Sequence, residues 1–199
     1  PKYCRGRLLD LGCGAVPFYG VYREYVDDNI CVDWENSQHD NQFVDVACDL
    51  TKPLPLEDVS FDAIILSSVL EHIPNPAELW HEMSRVLKPG GHLLLGVPFM
   101  YWLHEVPHDY YRYTEFALRR FAENSQLEIV ELEAVGGAPF VVADVGAKAL
   151  ASVPWIGNLA ASMIQGTCAF ATRVPPILSF CERTRARFPN GYFLVARKA

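Results

Sequence analysis

Five short apolar runs, at 7–11, 29–32, 44–48, 61–66 and 92–97, follow one another through the first half of the chain. Turn or helical signals separate them. Most are apolar at successive positions instead of alternating with polar residues, the pattern of strands covered on both faces by helices in a parallel sheet. The clearest intervening helix is predicted at 76–87. Asn75 is placed to cap it, Pro76 suits the first helical position, and Glu78 favours the positive end of the helix dipole. Leu79, Met83, Val86 and Leu87 form one apolar face. Lys88-Pro89-Gly90-Gly91 then stops the helix and turns the chain into the next strand.

A second helix is expected after Thr114, which can cap it, and carries Phe116, Leu118 and Phe121. Residues 127–135 alternate acidic and apolar side chains, as in a strand with one wet face, and 191–197 read as a last strand. Together these elements predict an α/β fold with a doubly wound, mostly parallel sheet and an antiparallel final pair. Residues 1–138 and 190–199 would form the core, with 139–189 an apolar helical insertion before the last strand. A cap over the sheet edge is the expected role of that insertion. The alternative is a surface for a homodimer partner, a lipid-linked substrate or a membrane.

Half of the 199 residues are hydrophobic and 21% are charged, a globular composition suited to one domain. The formal charge of −7 and the lack of a long basic run argue against a chain held to nucleic acid through its phosphates. None of the six cysteines forms a C-x-x-C pair, which favours reduced, packed thiols over zinc or disulfides. No charged-then-apolar leader opens the chain and no clean apolar span is long enough to cross a bilayer, so a cytoplasmic location is expected. The first strand starts almost at residue 1, and a further helix is expected ahead of it.

The first apolar run passes into LLDLGCG at 8–14, where Gly12 and Gly14 allow a tight turn and close approach of a ligand. A doubly wound fold binds ligands at this carboxyl edge. The dinucleotide pattern G-x-G-x-x-G fails at Pro17, and no G-K-[ST] follows. Further along come VDW at 32–34, ACDLTKPLPLEDVSFDAI at 47–64, LEHI at 70–73 and RVLKPGGHLLLGVP at 85–98. In this order the motifs resemble those of class I S-adenosylmethionine-dependent methyltransferases, especially the type 11 group, over residues 6–135.

That resemblance implies a Rossmann-like, seven-stranded sheet of order 3-2-1-4-5-7-6 and S-adenosyl-L-methionine as the cofactor. By position, Asp10, Gly12, Cys13 and Gly14 match the loop supporting the methionine portion. Asp33 matches the acid that binds the ribose hydroxyls, Asp49 with Leu50 the pair that recognises adenine, and Ser67 the wall after the fourth strand. A carboxylate accepting two hydroxyl hydrogen bonds can select a ribose diol, and acids suit a sulfonium cation. Read alone, Asp33 and Asp49 could merely cap strand ends, and the glycines merely turn the chain. Two departures from the family stand out: Ala15-Val16-Pro17 replaces a third glycine, and the connection at 35–42 is too short for a full crossover helix. Trp34 would then share the ribose contact or lie against the adenosine; a plain core position is the alternative.

LHEVPHDYYRYT at 103–114 follows the fifth strand, on the side where an acceptor would enter. It resembles the P-x-D-Y-x-R-[YF]-T pattern of type 11-like proteins from sugar and polysaccharide pathways, through Pro107, Asp109, Tyr110, Arg112, Tyr113 and Thr114. A metal set of His104, Glu105, His108 and Asp109 lacks a recognised spacing, so no metal is expected. Asp109 and Arg112 could pair to brace the loop. His104, Tyr110 and Arg112 are the expected acceptor-binding residues. His108, or His72 after the fourth strand, is the expected proton acceptor, a task suited to an imidazole near neutral pH. The expected reaction is methyl transfer to a small-molecule acceptor, an oxygen of a saccharide or lipid-linked intermediate. Transfer to carbon or nitrogen, or a cofactor-binding partner subunit without turnover, are the rivals.

Overall fold

The computed structural model describes residues 2–35, 42–171 and 173–199. Its sheet has seven strands: β1 (Arg7–Leu11), β2 (Asp28–Asp33), β3 (Val46–Ala47), β4 (Phe61–Ser67), β5 (Leu87–Pro98), β6 (Leu127–Gly136) and β7 (Pro189–Lys198). They lie in the order β3-β2-β1-β4-β5-β7-β6, as the resemblance implies. β1 to β5 run parallel to one another, and β7 is antiparallel to both β5 and β6. Residues 36–41, which contain most of the short connection read from the sequence, lie outside the described residues.

Helices α1 (Tyr19–Tyr22), α2 (Pro76–Val86) and α3 (Glu115–Asn124) accompany the sheet. Leu79, Met83 and Val86 of α2 are buried as expected, and Trp80 joins them at 0% exposure. Its ring stacks on Phe121 of α3 with centroids 6.1 Å apart. Asn75 occupies the N-cap position of α2 but makes no side-chain cap bond, so Pro76 and Glu78 carry that helix start. Thr114 does cap α3, its hydroxyl accepting from the Ala117 amide at 3.3 Å. The segment 88–91 is no separate turn: β5 already begins at Leu87, which sits opposite Phe61, and an irregularity in register absorbs the glycines.

Register lines up the strand ends that matter. Leu11 pairs with Val32 and with Leu66, Asp33 with Ala47, and Ser67 with Gly96. Gly12, Asp33 and Ser67 therefore emerge together at one carboxyl edge. The two faces of the sheet bury separate clusters: Leu9, Leu11, Leu66 and Trp80 on one side, Leu8, Cys13, Tyr22 and Cys31 on the other.

Between β6 and β7 come α4 (Ala138–Ala151), α5 (Gly157–Ala171) and α6 (Pro175–Thr184). α4 leans on the ends of β6 and β7, and α5 and α6 lean on α4. Gly137, at φ +137, lets the start of α4 pass close to α6, since a Cβ there would lie 2.5 Å from the Cys181 carbonyl oxygen. The outer face is apolar and exposed, with Val142, Leu159, Met163 and Phe170 each about two-thirds accessible or more. Among the described residues, no helix is long and apolar enough to cross a membrane.

Candidate active site

Gly12 leaves β1 in the left-handed region at φ +65, and its amide donates to the Val32 carbonyl at 2.8 Å. A Cβ at this position would fall 2.3 Å from Val69 Cγ2, so only glycine lets the loop lie against the turn after β4. Asp33, at the end of β2, holds the loop in place. Its Oδ2 accepts from the Gly14 amide at 2.6 Å and its Oδ1 from the Trp34 amide at 2.7 Å. Each oxygen keeps a second lone pair.

Asp49 accepts from the Thr51 amide and hydroxyl and faces Lys52 Nζ at 3.2 Å. The Thr51 hydroxyl, with help from Lys52, holds its carboxyl below the ordinary range. Trp34 is 40% exposed rather than a core residue. Its ring meets that of His108 edge-on, with centroids 5.9 Å apart.

Asp10 is placed differently from the other loop residues. It shares the face of Leu8, lies outside the cavity lining, and accepts from the Tyr22 hydroxyl at 3.2 Å. Burial pushes its carboxyl up to about 6, against the Tyr22 hydrogen bond, and the charge on Asp33 adds to the rise. Between its ordinary 3.8 and about 6, the folded chain holds a proton that the unfolded chain has released. Stability from this group is therefore fullest at acid pH, falls as pH rises through that window, and levels off above it. Asp10→Asn removes the dependence. The wild-type chain should lose roughly 3 kcal/mol relative to the variant between about pH 3.5 and about pH 7.5, read from paired urea-unfolding series.

Gly12, Cys13, Gly14, Asp33, Trp34, Asp49, Leu50 and Ser67 line one cavity of about 1100 Å³. From the other side it is closed by the turn after β4 and the 103–114 loop, which contribute Glu71, His72, His104, Glu105, His108 and Tyr110. Four of these lining residues are acids, and no Lys or Arg lines the cavity among the described residues.

The loop is stitched to that turn, a 3-10 turn at Leu70–His72. The amides of Tyr110 and Tyr111 donate to the Glu71 carbonyl, and the Tyr113 hydroxyl donates to the Leu70 carbonyl at 2.9 Å. Arg112 braces the loop through Asp109, as the pairing read from the sequence has it, and the acceptor-binding role is the one corrected. Arg112 lies outside the cavity, forks onto Asp109 at 2.6 and 2.7 Å, and donates to the carbonyls of Tyr101, Trp102 and Tyr111. That pairing, chiefly its hydrogen bonds, holds the Asp109 carboxyl well below the usual carboxylate range. Arg112 thus shapes the loop and is not set to touch an acceptor. His104 and Tyr110 do reach the cavity, as do His72 and His108.

Glu71 is the residue that sequence reasoning missed. It stands in LEHI beside His72, but nothing in a local pattern indicates that it is wholly buried. Among the described residues neither of its carboxylate oxygens has a hydrogen-bond partner. Burial pushes the group up to about 7.

Residues 9–95 match the family described as methyltransferase domain. An uncharacterized 37.1 kDa protein in transposon TN4556 of Streptomyces fradiae is 32% identical over 152 residues, 67% of this chain and 44% of that protein. A malonyl-[acyl-carrier protein] O-methyltransferase of Marinomonas is 30% identical over 102 residues, 45% of this chain and 37% of that protein. The chain therefore spans less than half the length of either curated relative. A solved SAM dependent methyltransferase from Archaeoglobus fulgidus superposes with a TM-score of 0.62 at 20% identity, covering 98% of this chain and 86% of that one. A likeness at that identity speaks to the fold.

Proposed function

We propose, from the premise that this chain belongs to the class I S-adenosylmethionine-dependent methyltransferases, that it passes the donor's methyl group to an oxygen of a small acceptor entering beside the 103–114 loop. One observation carries the reading: a cavity lined by Asp33, Asp49, Glu71 and Glu105, without Lys or Arg among the described lining residues. Such a lining favours a sulfonium cation and disfavours the pyrophosphate of a dinucleotide.

The residues present fit the donor. Asp33 keeps one lone pair on each oxygen for the ribose hydroxyls, and Asp49 with the Leu50 backbone suits the adenine edge. Gly12, Cys13 and Gly14 leave room for the methionine portion, Trp34 offers a ring to the adenosine, and Ser67 forms part of the wall. When bound, S-adenosylmethionine would supply an electrophilic methyl carbon with its sulfur as the leaving group for an acceptor oxygen. The chain's own contribution is alignment and exclusion of water. His108 is the proton acceptor of this reading; its Nδ1 lies 3.3 Å from the Tyr110 hydroxyl at the cavity wall.

A saccharide or lipid-linked acceptor is supported by the loop pattern at 107–114 and by the insertion. Residues 139–189 carry Lys148, Arg173, Arg183, Arg185 and Arg187 against Asp144 and Glu182, a basic stretch in a chain of net charge −7. Beside their apolar face, these charges suit an anionic lipid surface. The test pairs calorimetry, using S-adenosylhomocysteine and NAD, with transfer of labelled methyl groups to glycans. The glycans are offered free and on a polyprenyl phosphate in anionic vesicles. Binding of S-adenosylhomocysteine but not NAD, with label appearing on an acceptor oxygen and best in vesicles, is expected. Donor binding with no label on any acceptor would favour the partner-subunit reading, and label on carbon or nitrogen a different acceptor class.

A further inference from the structure

A buried carboxylate without a hydrogen-bond partner is costly, and a cation held against it relieves that cost. Two imidazoles face Glu71. His72 Nε2 lies 3.9 Å and His104 Nε2 3.8 Å from Glu71 Oε1, beyond hydrogen-bonding range. His72 Nε2 is itself buried with no hydrogen-bond partner among the described residues. One ligand atom from each of the three residues falls within 4.8 Å of the others.

The opposite ring nitrogens explain why the Nε2 atoms converge. His72 Nδ1 sits 2.9 Å from the His108 carbonyl oxygen, so it carries the proton and donates. His104 Nδ1 lies 3.3 Å from the Trp102 carbonyl and 3.3 Å from Asp109 Oδ2, the carboxylate that Arg112 clamps. Both rings therefore donate from Nδ1 and turn the Nε2 lone pair inward. Acceptors of this kind behind the ring are what orient metal-binding histidines.

We infer that Glu71, His72 and His104 form a binding site for a divalent first-row cation, with Zn²⁺ the best match to two imidazoles and one carboxylate. Metal–ligand bonds of 2.0–2.2 Å put tetrahedral ligands about 3.3 Å apart, so the two gaps to Glu71 close by roughly half an ångström and the widest pair by up to about 1.5 Å. All three residues line the donor cavity, so a fourth position on the cation would face it, on the side where Glu105 Oε2 lies 3.8 Å from His72 Nε2. An acceptor hydroxyl held there would lose its proton more readily, as metal-held water does; this acceptor role rests on the methyl-transfer reading, whereas the cation site does not. The set weighed from the sequence differs. Asp109 is committed to Arg112, and the His108 ring faces Trp34 and Tyr110.

The experiment titrates Zn²⁺ into the metal-stripped chain by calorimetry without donor, then records the visible spectrum of the Co²⁺ form. S-adenosylhomocysteine binding is measured on the same samples. One Zn²⁺ per chain is expected, with a Co²⁺ spectrum free of thiolate charge transfer. Glu71→Gln and His72→Asn should each weaken Zn²⁺ by about 100-fold or more, while His81→Ala, on the exposed side of α2, should leave it unchanged. No stoichiometric Zn²⁺, unchanged affinity in Glu71→Gln, or thiolate bands would overturn the site. Zn²⁺ binding without S-adenosylhomocysteine binding would uphold the cation site and count against the donor assignment instead.

Discussion

Asp33→Ala should weaken S-adenosylhomocysteine binding by about 100-fold or more, about 2.7 kcal/mol, whereas His108→Ala should change it by less than about threefold. The difference follows from what each side chain does. Asp33 is 8% exposed, lines the cavity and accepts two backbone amides that shape the loop carrying Gly14. In the proposed donor site its removal would cost charge-assisted bonds to the ribose diol, and it would loosen the turn that carries Gly14. His108 lines the cavity from the 103–114 loop, the acceptor side in the proposed reading. Asp33→Asn keeps the volume but has one acceptor oxygen instead of two, so an intermediate loss is expected. Calorimetry reads both affinities, and a thermal melt of each variant separates lost binding from lost fold. Wild-type affinity in a folded Asp33→Ala chain would end the donor assignment.

Trp80→Ala should be the most damaging core change, costing roughly 3–5 kcal/mol, a large part of the 5–15 kcal/mol typical of a domain. The indole is fully buried and stacked on Phe121 of α3, so its truncation removes a large buried volume. For a chain of this size the melting temperature should fall by roughly 6–20 °C, followed by circular dichroism. Trp80→Phe should cost much less. Indole Nε1 is buried with no hydrogen-bond partner among the described residues, so phenylalanine removes a stranded donor while leaving a smaller void. Equal losses in the two variants would mean that packing around Trp80 is not what the fold depends on.

The strands were legible because burial on both faces writes itself as continuous apolar sequence; 7–11 and 61–66 are matched within a residue by β1 and β4. Lys88 to Gly91 read as a break after a helix ending at Leu87, because Pro and Gly usually punctuate. The chain nevertheless stays extended there, since Leu87 reaches across to Phe61. The glycine turn and Asp33 could be placed because strand ends locate them. For Arg112 only the pair with Asp109 was legible, and for Asp10 not even that, since which face a carboxylate takes and which carbonyls a guanidinium meets are settled by Tyr22 and by the folded loop. Glu71 was hidden for a stronger reason: acidic residues are ordinarily wet, and only the closing of 103–114 over the turn after β4 dries this one.

β6 ends and β7 begins at neighbouring positions, Gly136 opposite Pro189. Three helices are thus suspended from a single hairpin, leaving and rejoining the sheet at one point. Val135, Asn190 and Gly191, beside that junction, belong to the cavity rim opposite the glycine loop. A lineage could therefore exchange, shorten or enlarge the whole appendage and re-tailor what the mouth admits, while the end of the cavity around the glycine loop, built from the first four strands, would inherit no strain from the swap.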